Sequence, residues 1–414
     1  MKNSNARFVY LILSFMMGMI LSIVFTANQL YRVQTVNLDA LQLVLVGTTL
    51  EVTAFTLEIP TGVIADIYSR RLSVIIGIFL FALGFIIEAS IPLFVTVLLA
   101  QVVWGAGWTF ISGAKEAWIA DEVGTENVGP IYLRGAQYSQ SGNLLGIPLF
   151  VLLGNLSYST PILIGGMMFF LLGIFLSLYM PESGFQRAPA IEINTIGDMW
   201  STLREGFQLT RQHPILFSFV GIAVFVGLYR EGYDRLMEAH FLNSFSFPRL
   251  SVFSDPVVAW FGIMRLVASL LILTATELIK RRLDTYYETK LVRILQAFCG
   301  LVSIGIFAFT ITQNFTIALS ATWLVSTTHA LTFPFNQAWI NQYIDSKVRA
   351  TVLSMTSQVD AFGQIIGGPI VGVLGRLRSI RVALTTSSLI LLPVIPLFER
   401  LIKRHMKKPA KSLN

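Results

Sequence analysis

Ionisable and amide side chains inside long apolar runs are where this sequence could do chemistry. A charge at mid-bilayer costs roughly 2.5 to 3.5 kcal/mol on insertion scales, so such groups face a cavity or a partner. Glu51 and Glu58 lie seven residues apart with Phe55 between them, which puts both on one face of a helix. Gln101, Trp108 and Lys115 repeat that spacing, Ser112 lies close to the same line, and Glu116 adjoins it. The densest group is Arg230, Glu231, Asp234, Arg235 and Glu238. Arg230 with Asp234 and Glu231 with Arg235 are i, i+4 pairs of opposite sign, which leaves Glu238 over. Arg265 has no local partner and is expected to reach an acid of that group.

The chemistry such groups support is proton exchange, which needs a carboxylate whose pKa an apolar setting raises toward the working pH. Glu51, Glu58 and Glu116 are the candidates, with Lys115 as a charge beside the last. A structural role stands beside each functional one. Glu58 is close to Pro60 and could serve as a local hydrogen-bonding group, and Lys115 with Glu116 could be interfacial. The cluster from Arg230 to Glu238 is either a gate network or an exposed helix extension. Cys299 is the only cysteine and lies in an apolar run, so no intrachain disulfide and no metal site are expected. There is no nucleophile and base pair, no GxxxxGK[ST] phosphate loop and no sign of a cofactor, so neither an enzyme nor an ATP-driven pump is expected.

The elements that must hold these residues are membrane helices. The chain has 54% hydrophobic and only 13% charged residues, against roughly 25% charged in soluble domains, which excludes a water-soluble class. Apolar runs long enough to cross a ~30 Å layer recur throughout. Their breaks place spans at 8 to 28, 39 to 65, 72 to 91, 93 to 120, 134 to 155 and 159 to 180, then 214 to 241, 256 to 279, 290 to 311, 315 to 343, 350 to 375 and 380 to 400. The fold class is therefore all-α and polytopic, with twelve transmembrane helices. The first run lacks a small-residue cleavage pattern and reads as a helix, not a removed signal peptide. Residues 1–180 form an N-terminal six-helix bundle, 181–213 a polar cytoplasmic linker, and 214–414 a C-terminal six-helix bundle with a basic tail.

The net charge of +7 could suggest nucleic acid, but the basic residues gather in short segments between apolar runs, as a membrane-orientation signal does. Placing both termini in the cytoplasm puts most of them inside, leaving Arg32, Arg249, Arg376, Arg378 and Arg381 in outer turns. The inner loop with Asp121, Glu122 and Glu126 runs against that trend.

The two halves superpose without gaps over a long stretch. Ala117-Trp118-Ile119 recurs as Ala338-Trp339-Ile340, and 338 minus 117 is 221. The same offset carries Gln137 to Gln358, Gly142 to Gly363, Gly146 to Gly367, Pro148 to Pro369 and Gly154 to Gly375. One register held through a loop and two helices indicates duplication of a six-helix unit, and transporters built from such repeats hold their substrate site at the repeat interface. Gly142 with Gly146, and Gly363 with Gly367, form GxxxG patterns that let helices pack closely; together with Pro148 and Pro369 they are packing or hinge positions.

Gly62-Val63-Ile64-Ala65-Asp66-Ile67-Tyr68-Ser69-Arg70-Arg71 stands where the second span exits, and it resembles the GxxADxxxRR loop signature of the major facilitator superfamily. The resemblance implies a cytoplasmic gate made by Gly62, Asp66, Arg70 and Arg71: the glycine allows close helix approach and the acid pairs with basic groups. Gly363-Gln364-Ile365-Ile366-Gly367-Gly368-Pro369 resembles the Gly-Pro motif of drug-exporting members, including tetracycline-type exporters, and Gly142 to Pro148 is a degraded copy. The drug:proton antiporter group has an RxxxGxG motif in the fourth span; here Gln101 replaces its arginine before Gly105 and Gly107.

Aromatic and amide residues supply the expected cavity: Gln101, Trp108, Tyr138, Asn143, Tyr229, Phe333, Gln337 and Asn341. Aromatic linings favour flat, amphipathic or cationic ligands, and no mid-span cluster of polar groups suited to a sugar or nucleotide stands out. The leading expectation is a proton-coupled exporter of drug-like molecules, acting as a monomer in the bacterial inner membrane with a small-molecule substrate, protons and lipid as its partners and no nucleic acid. A metabolite symporter or facilitator, and a non-transporting receptor or assembly protein on the same scaffold, are the other two readings.

Overall fold

The computed structural model describes residues 2–185, 214–251, 253–283, 288–343 and 346–406. Fourteen helices run through these residues. In the first half they are α1 (Lys2–Gln34), α2 (Ala40–Ile67), α3 (Arg70–Ser90), α4 (Phe94–Ile111), α5 (Ala114–Val123), α6 (Gly129–Gly154) and α7 (Thr160–Tyr179). In the second they are α8 (Pro214–Ser244), α9 (Pro256–Leu283), α10 (Glu288–Ile311), α11 (Phe315–Tyr343), α12 (Ser346–Leu377), α13 (Ile380–Ile390) and α14 (Val394–Met406). Most of the expected linker, residues 186–213, lies outside the described residues.

Local sequence explains where helices start and break. Asp39 opens α2 with a capping box: its carboxylate accepts from the Gln42 amide at 2.9 Å, while the Gln42 side chain accepts from the Asp39 amide at 3.0 Å. Ser69 caps α3 by accepting from the Leu72 amide at 2.9 Å. The fourth span, expected as one helix, is two: Gly113 takes φ +74, a left-handed conformation open to glycine at little cost, and α5 starts after it. The last span is also two, because Pro393 has no amide to continue the ladder between α13 and α14. The first helix runs to Gln34, beyond the expected end at 28, and so takes in Arg32.

Eight segments among the described residues are long and apolar enough to span by composition alone. Of the twelve expected spans, those of α6, α8, α11 and α12 fall short. Those helices carry Gln137 and Asn143, the Arg230–Glu238 cluster, His329 and Asp360, and polarity of this kind inside a membrane protein is kept where it has a partner or a cavity.

The chain divides into two compact units: Met1–Gln42 with Thr49–Thr195 and Phe247–Leu266, and Leu43–Thr48 with Ile196–Ser246 and Val267–Asn414. In the first, α1 packs on α6 and α3 packs on α4 and α7; in the second, α8 packs on α12 and α10 packs on α11 and α13. The same pairing therefore recurs in each.

Glycines make the matching crossings. A Cβ on Gly142 would overlap the Phe15 carbonyl, and one on Gly146 the Met19 carbonyl. In the other unit, Gly363 and Gly367 meet the Val224 and Leu228 carbonyls in the same way. From the opposite helix, Gly18 abuts the Ser139 carbonyl and Gly227 the Asp360 carbonyl; 360 minus 139 is again 221. The repeated tryptophans Trp118 and Trp339 are each 1% exposed.

Candidate functional site

The polar groups of the second unit converge on α8 and α12. Arg230 Nε donates to Asp234 Oδ2 at 3.3 Å, and Arg235 Nε donates to Glu231 Oε1 at 2.9 Å, so both i, i+4 pairs expected from spacing are formed. Arg230 has a second acid, Asp360 of α12, with Nη1 3.9 Å from its Oδ2. Gln364 Nε2 donates to that same Asp360 oxygen at 2.9 Å. One guanidinium thus stands between two carboxylates.

Burial separates the two pairs. Arg230 and Asp234 side chains are each 40% exposed and Asp360 25%, whereas Glu231 is 1% and Glu238 3% exposed. The cluster is therefore not an exposed helix extension. Glu231 and Arg235 also crowd Gly47 of the Leu43–Thr48 segment, where any side chain would overlap them. Asp360 was not legible as a site residue from motif spacing. The signals that mark it are an acid inside a span and its place in the repeat register, where the first half has Ser139.

The first unit holds a buried network that the sequence concealed. Arg32 Nη2 lies 2.7 Å from Glu88 Oε1, with side chains 3% and 0% exposed. Arg32 Nε also donates to that oxygen at 2.8 Å, and Gln101 Nε2 donates to Glu88 Oε2 at 3.2 Å. Gln101, expected to line a cavity, is instead buried at 0% exposure among helices. Arg32, expected in an outer turn, is the counter-ion of an acid within α3. Neither is visible in a linear reading, because Arg32 and Glu88 are 56 residues apart. Gly105 and Gly107 pack the fourth span against Thr53 of α2 and Gly77 of α3.

The motif turn between α2 and α3 is charge-paired to α5. Arg70 Nη2 donates to Asp66 at 3.2 Å, and its Nη1 donates to Asp121 Oδ2 at 2.5 Å and to the Ala117 carbonyl at 3.2 Å. Arg71 donates to the Ser177 carbonyl at 2.7 Å. Glu182 accepts from Ser69 Oγ at 2.6 Å and from the Arg71 amide at 2.9 Å. Glu122 accepts from the amides of Ser183 and Gly184 at 2.6 and 2.7 Å. Asp121 and Glu122, which ran against the charge asymmetry, are thus held by internal donors. Gly62 differs from expectation: a Cβ there meets no described atom within 4 Å, so close helix approach is not what this glycine provides.

The other expected positions separate. Lys115 pairs with the adjacent Glu116 at 3.1 Å and sits 5.6 Å from the Tyr10 ring centroid. Glu51 is half-buried and Glu58 exposed along α2. Trp108, Tyr138 and Phe333 are 46%, 47% and 68% exposed, while Asn143 and Gln337 are half-buried. Tyr229, expected to line a cavity, is only 3% exposed and belongs to the helix core. Arg265 is exposed on α9. The Asn341 side chain lies outside the described residues. Pro148 and Pro369 both sit inside their helices. Among the described residues, no group of His, Cys, Asp or Glu is arranged to hold a metal.

Comparison with known proteins agrees with this architecture. The family model described as Major Facilitator Superfamily matches residues 10–368. A curated relative, an uncharacterized MFS-type transporter YxaM of Bacillus subtilis (strain 168), is 22% identical over 344 residues and covers 81% of each chain. Among solved structures, the nucleoside transporter NupG is similar with a TM-score of 0.74 at 15% identity, covering 96% of this chain and 99% of that one. A bacterial homolog of the human lysosomal transporter Spinster, inward-facing and unoccupied, has a TM-score of 0.75 at 12% identity and covers 99% of both chains. At such identities the structural likeness speaks for fold alone. The matched family model covers most of the chain, and the protein is a member of the Major Facilitator Superfamily of membrane transporters.

Proposed function

We propose that this transporter exports small amphipathic molecules in exchange for protons by alternating access, as a monomer in the bacterial plasma membrane with both termini cytoplasmic. The observation that carries coupling is one arginine held between two partly exposed carboxylates, Arg230 with Asp234 and Asp360, on helices of the transmembrane repeat. Such a cluster bears surplus negative charge that a proton or a cationic substrate can cancel. Exposed aromatics at Trp108, Tyr138 and Phe333 support an amphipathic ligand. The Gly363 to Pro369 segment supports the export direction through its likeness to drug exporters.

A second reading, symport of a polar metabolite, is favoured by the same cluster. Asp360 and Gln364 join Arg230 and Asp234 in a group of polar side chains of the kind that a hydroxylated or heterocyclic solute would use. The nucleoside transporter with this fold is consistent with it.

The deciding experiment places the purified protein in liposomes with an internal pH dye and presents ethidium, tetraphenylphosphonium, uridine and xylose under an imposed proton gradient. Proton flux opposite to the flux of an amphipathic cation supports exchange. Flux in the same direction with uridine or xylose supports symport, and movement without proton flux removes coupling.

A further inference from the structure

We infer that Asp360 is the carboxylate that takes up and releases the coupling proton, with Arg230 as the counter-charge that it shares with Asp234. The assignment rests on the proton-coupled reading above and gives it a residue. Of the coupling candidates expected from the sequence, Glu116 pairs with Lys115 at 3.1 Å and Glu58 is exposed.

The geometry distinguishes the two acids beside Arg230. Asp234 is on the same helix, one turn away, and receives a direct hydrogen bond from Arg230 Nε at 3.3 Å. That pair stays together however α8 moves. Asp360 is on α12, its contact with Arg230 is longer at 3.9 Å, and its hydrogen bond comes from neutral Gln364. Asp360 is also the less exposed, at 25% against 40%. One guanidinium neutralises one carboxylate, so the surplus charge falls on the acid held more loosely and buried more deeply. That acid is the one for which a bound proton relieves most.

Among the described residues, Arg230 is the cation that acts on Asp360. On α8, Tyr229 is within electrostatic reach of Asp360, and Arg235 lies 2.9 Å from Glu231. Glu238 and His240 lie further along the same helix. On α11, His329 is within electrostatic reach of Asp234 and Arg230. On α13 the only charged residue is Arg381, at the far end of that helix beside His240. Within α12 itself, Lys347, Arg349 and Arg376 are at least 11 residues away along the helix, as 360 minus 349 shows.

The position also connects the proton to helix movement. The Asp360 carbonyl lies against Gly227, and Gly363 meets Val224 and Gly227 one turn on, so the acid stands at the tightest α8–α12 crossing. When a proton from solvent bonds to Asp360 Oδ2, the attraction to Arg230 is lost and the guanidinium remains with Asp234. When the proton returns to water, the α12 carboxylate again draws Arg230 across the crossing. The matching position of the other half is Ser139, which carries no charge, so the coupling belongs to one half of the repeat.

The test is an infrared pH titration of the whole purified protein in lipid, reading the carboxylic C=O band with no ligand present. Wild type should show a band that titrates, Asp360→Asn should lack it, Asp360→Glu should restore it, and Arg230→Gln should move its midpoint to higher pH. Persistence of the same titrating band in folded Asp360→Asn, or an unmoved midpoint in Arg230→Gln, overturns the assignment. Far-ultraviolet circular dichroism and thermal melting establish that each variant is folded; Asp360→Glu carries the decision if the asparagine form is not, since a band that neither shifts nor changes in it also overturns the proposal. Failure of wild type to move any compound in liposomes would count against the transport reading alone.

Discussion

Arg32 and Glu88 form an ion pair at 2.7 Å whose side chains are 3% and 0% exposed. With Gln101 at 3.2 Å from the other carboxylate oxygen, the pair ties α1, α3 and α4 together. Breaking one partner leaves an uncompensated charge in an apolar setting.

Glu88→Gln should therefore destabilise the protein by about 3 to 5 kcal/mol, seen as a large fall in melting temperature in detergent. Replacing both partners, Arg32→Met with Glu88→Leu, should recover most of that loss, because two apolar groups leave no buried charge. A single variant as stable as wild type would show that water already reaches the pair.

The Arg70 contacts should rank by exposure. Asp66 is 56% exposed and Asp121 25%, so Asp66→Asn should cost less than about 1 kcal/mol while Asp121→Asn costs more. Arg70→Lys should resemble the Asp121 variant, since an ammonium cannot serve both acids and the Ala117 carbonyl in one plane. Double-mutant cycles on thermal unfolding check the order; equal costs for the two acids would refute it.

Gly142→Val and Gly363→Val should each be damaging, by about 1 to 3 kcal/mol or more, because a side chain meets backbone carbonyls that have nowhere to go. Gly62→Ala should be close to neutral by the same measurement, since nothing described surrounds it. Comparable losses at all three glycines would mean the crossings are looser than the geometry indicates.

Tyr158, in the turn between α6 and α7, donates to Asp255 Oδ2 at 2.8 Å. Burial, and then that hydrogen bond, hold its phenol above the usual value of 10.0. Because the folded-state pKa is raised, the stability it contributes is complete below pH ~10 and is lost as pH climbs from there through the folded value. Tyr158→Phe should flatten the alkaline fall in melting temperature above pH ~10; an identical fall in both proteins would remove this contribution.

The membrane class, the helical architecture and the duplication were readable from the chain, because apolar length and a fixed 221-residue register are properties of order along the sequence. The i, i+4 pairs Arg230–Asp234 and Glu231–Arg235 were readable for the same reason: a helix places those positions together wherever it lies. The break at Pro393 lies inside an apolar run, so hydropathy does not mark it, and the break at Gly113 comes from a backbone conformation, φ +74, that residue order does not display.

What depended on tertiary structure was every partner chosen across helices. Spacing gave no reason to join Arg32 to Glu88, Arg70 to Asp121 or Arg230 to Asp360, and it placed Gln101 and Tyr229 in a cavity when both are buried. Composition and periodicity decide that a helix crosses a membrane and which residues share its face. Which face meets which neighbour is decided by packing: glycines at Gly142, Gly146, Gly363 and Gly367 bring two backbones together, and only then do distant charges come within reach.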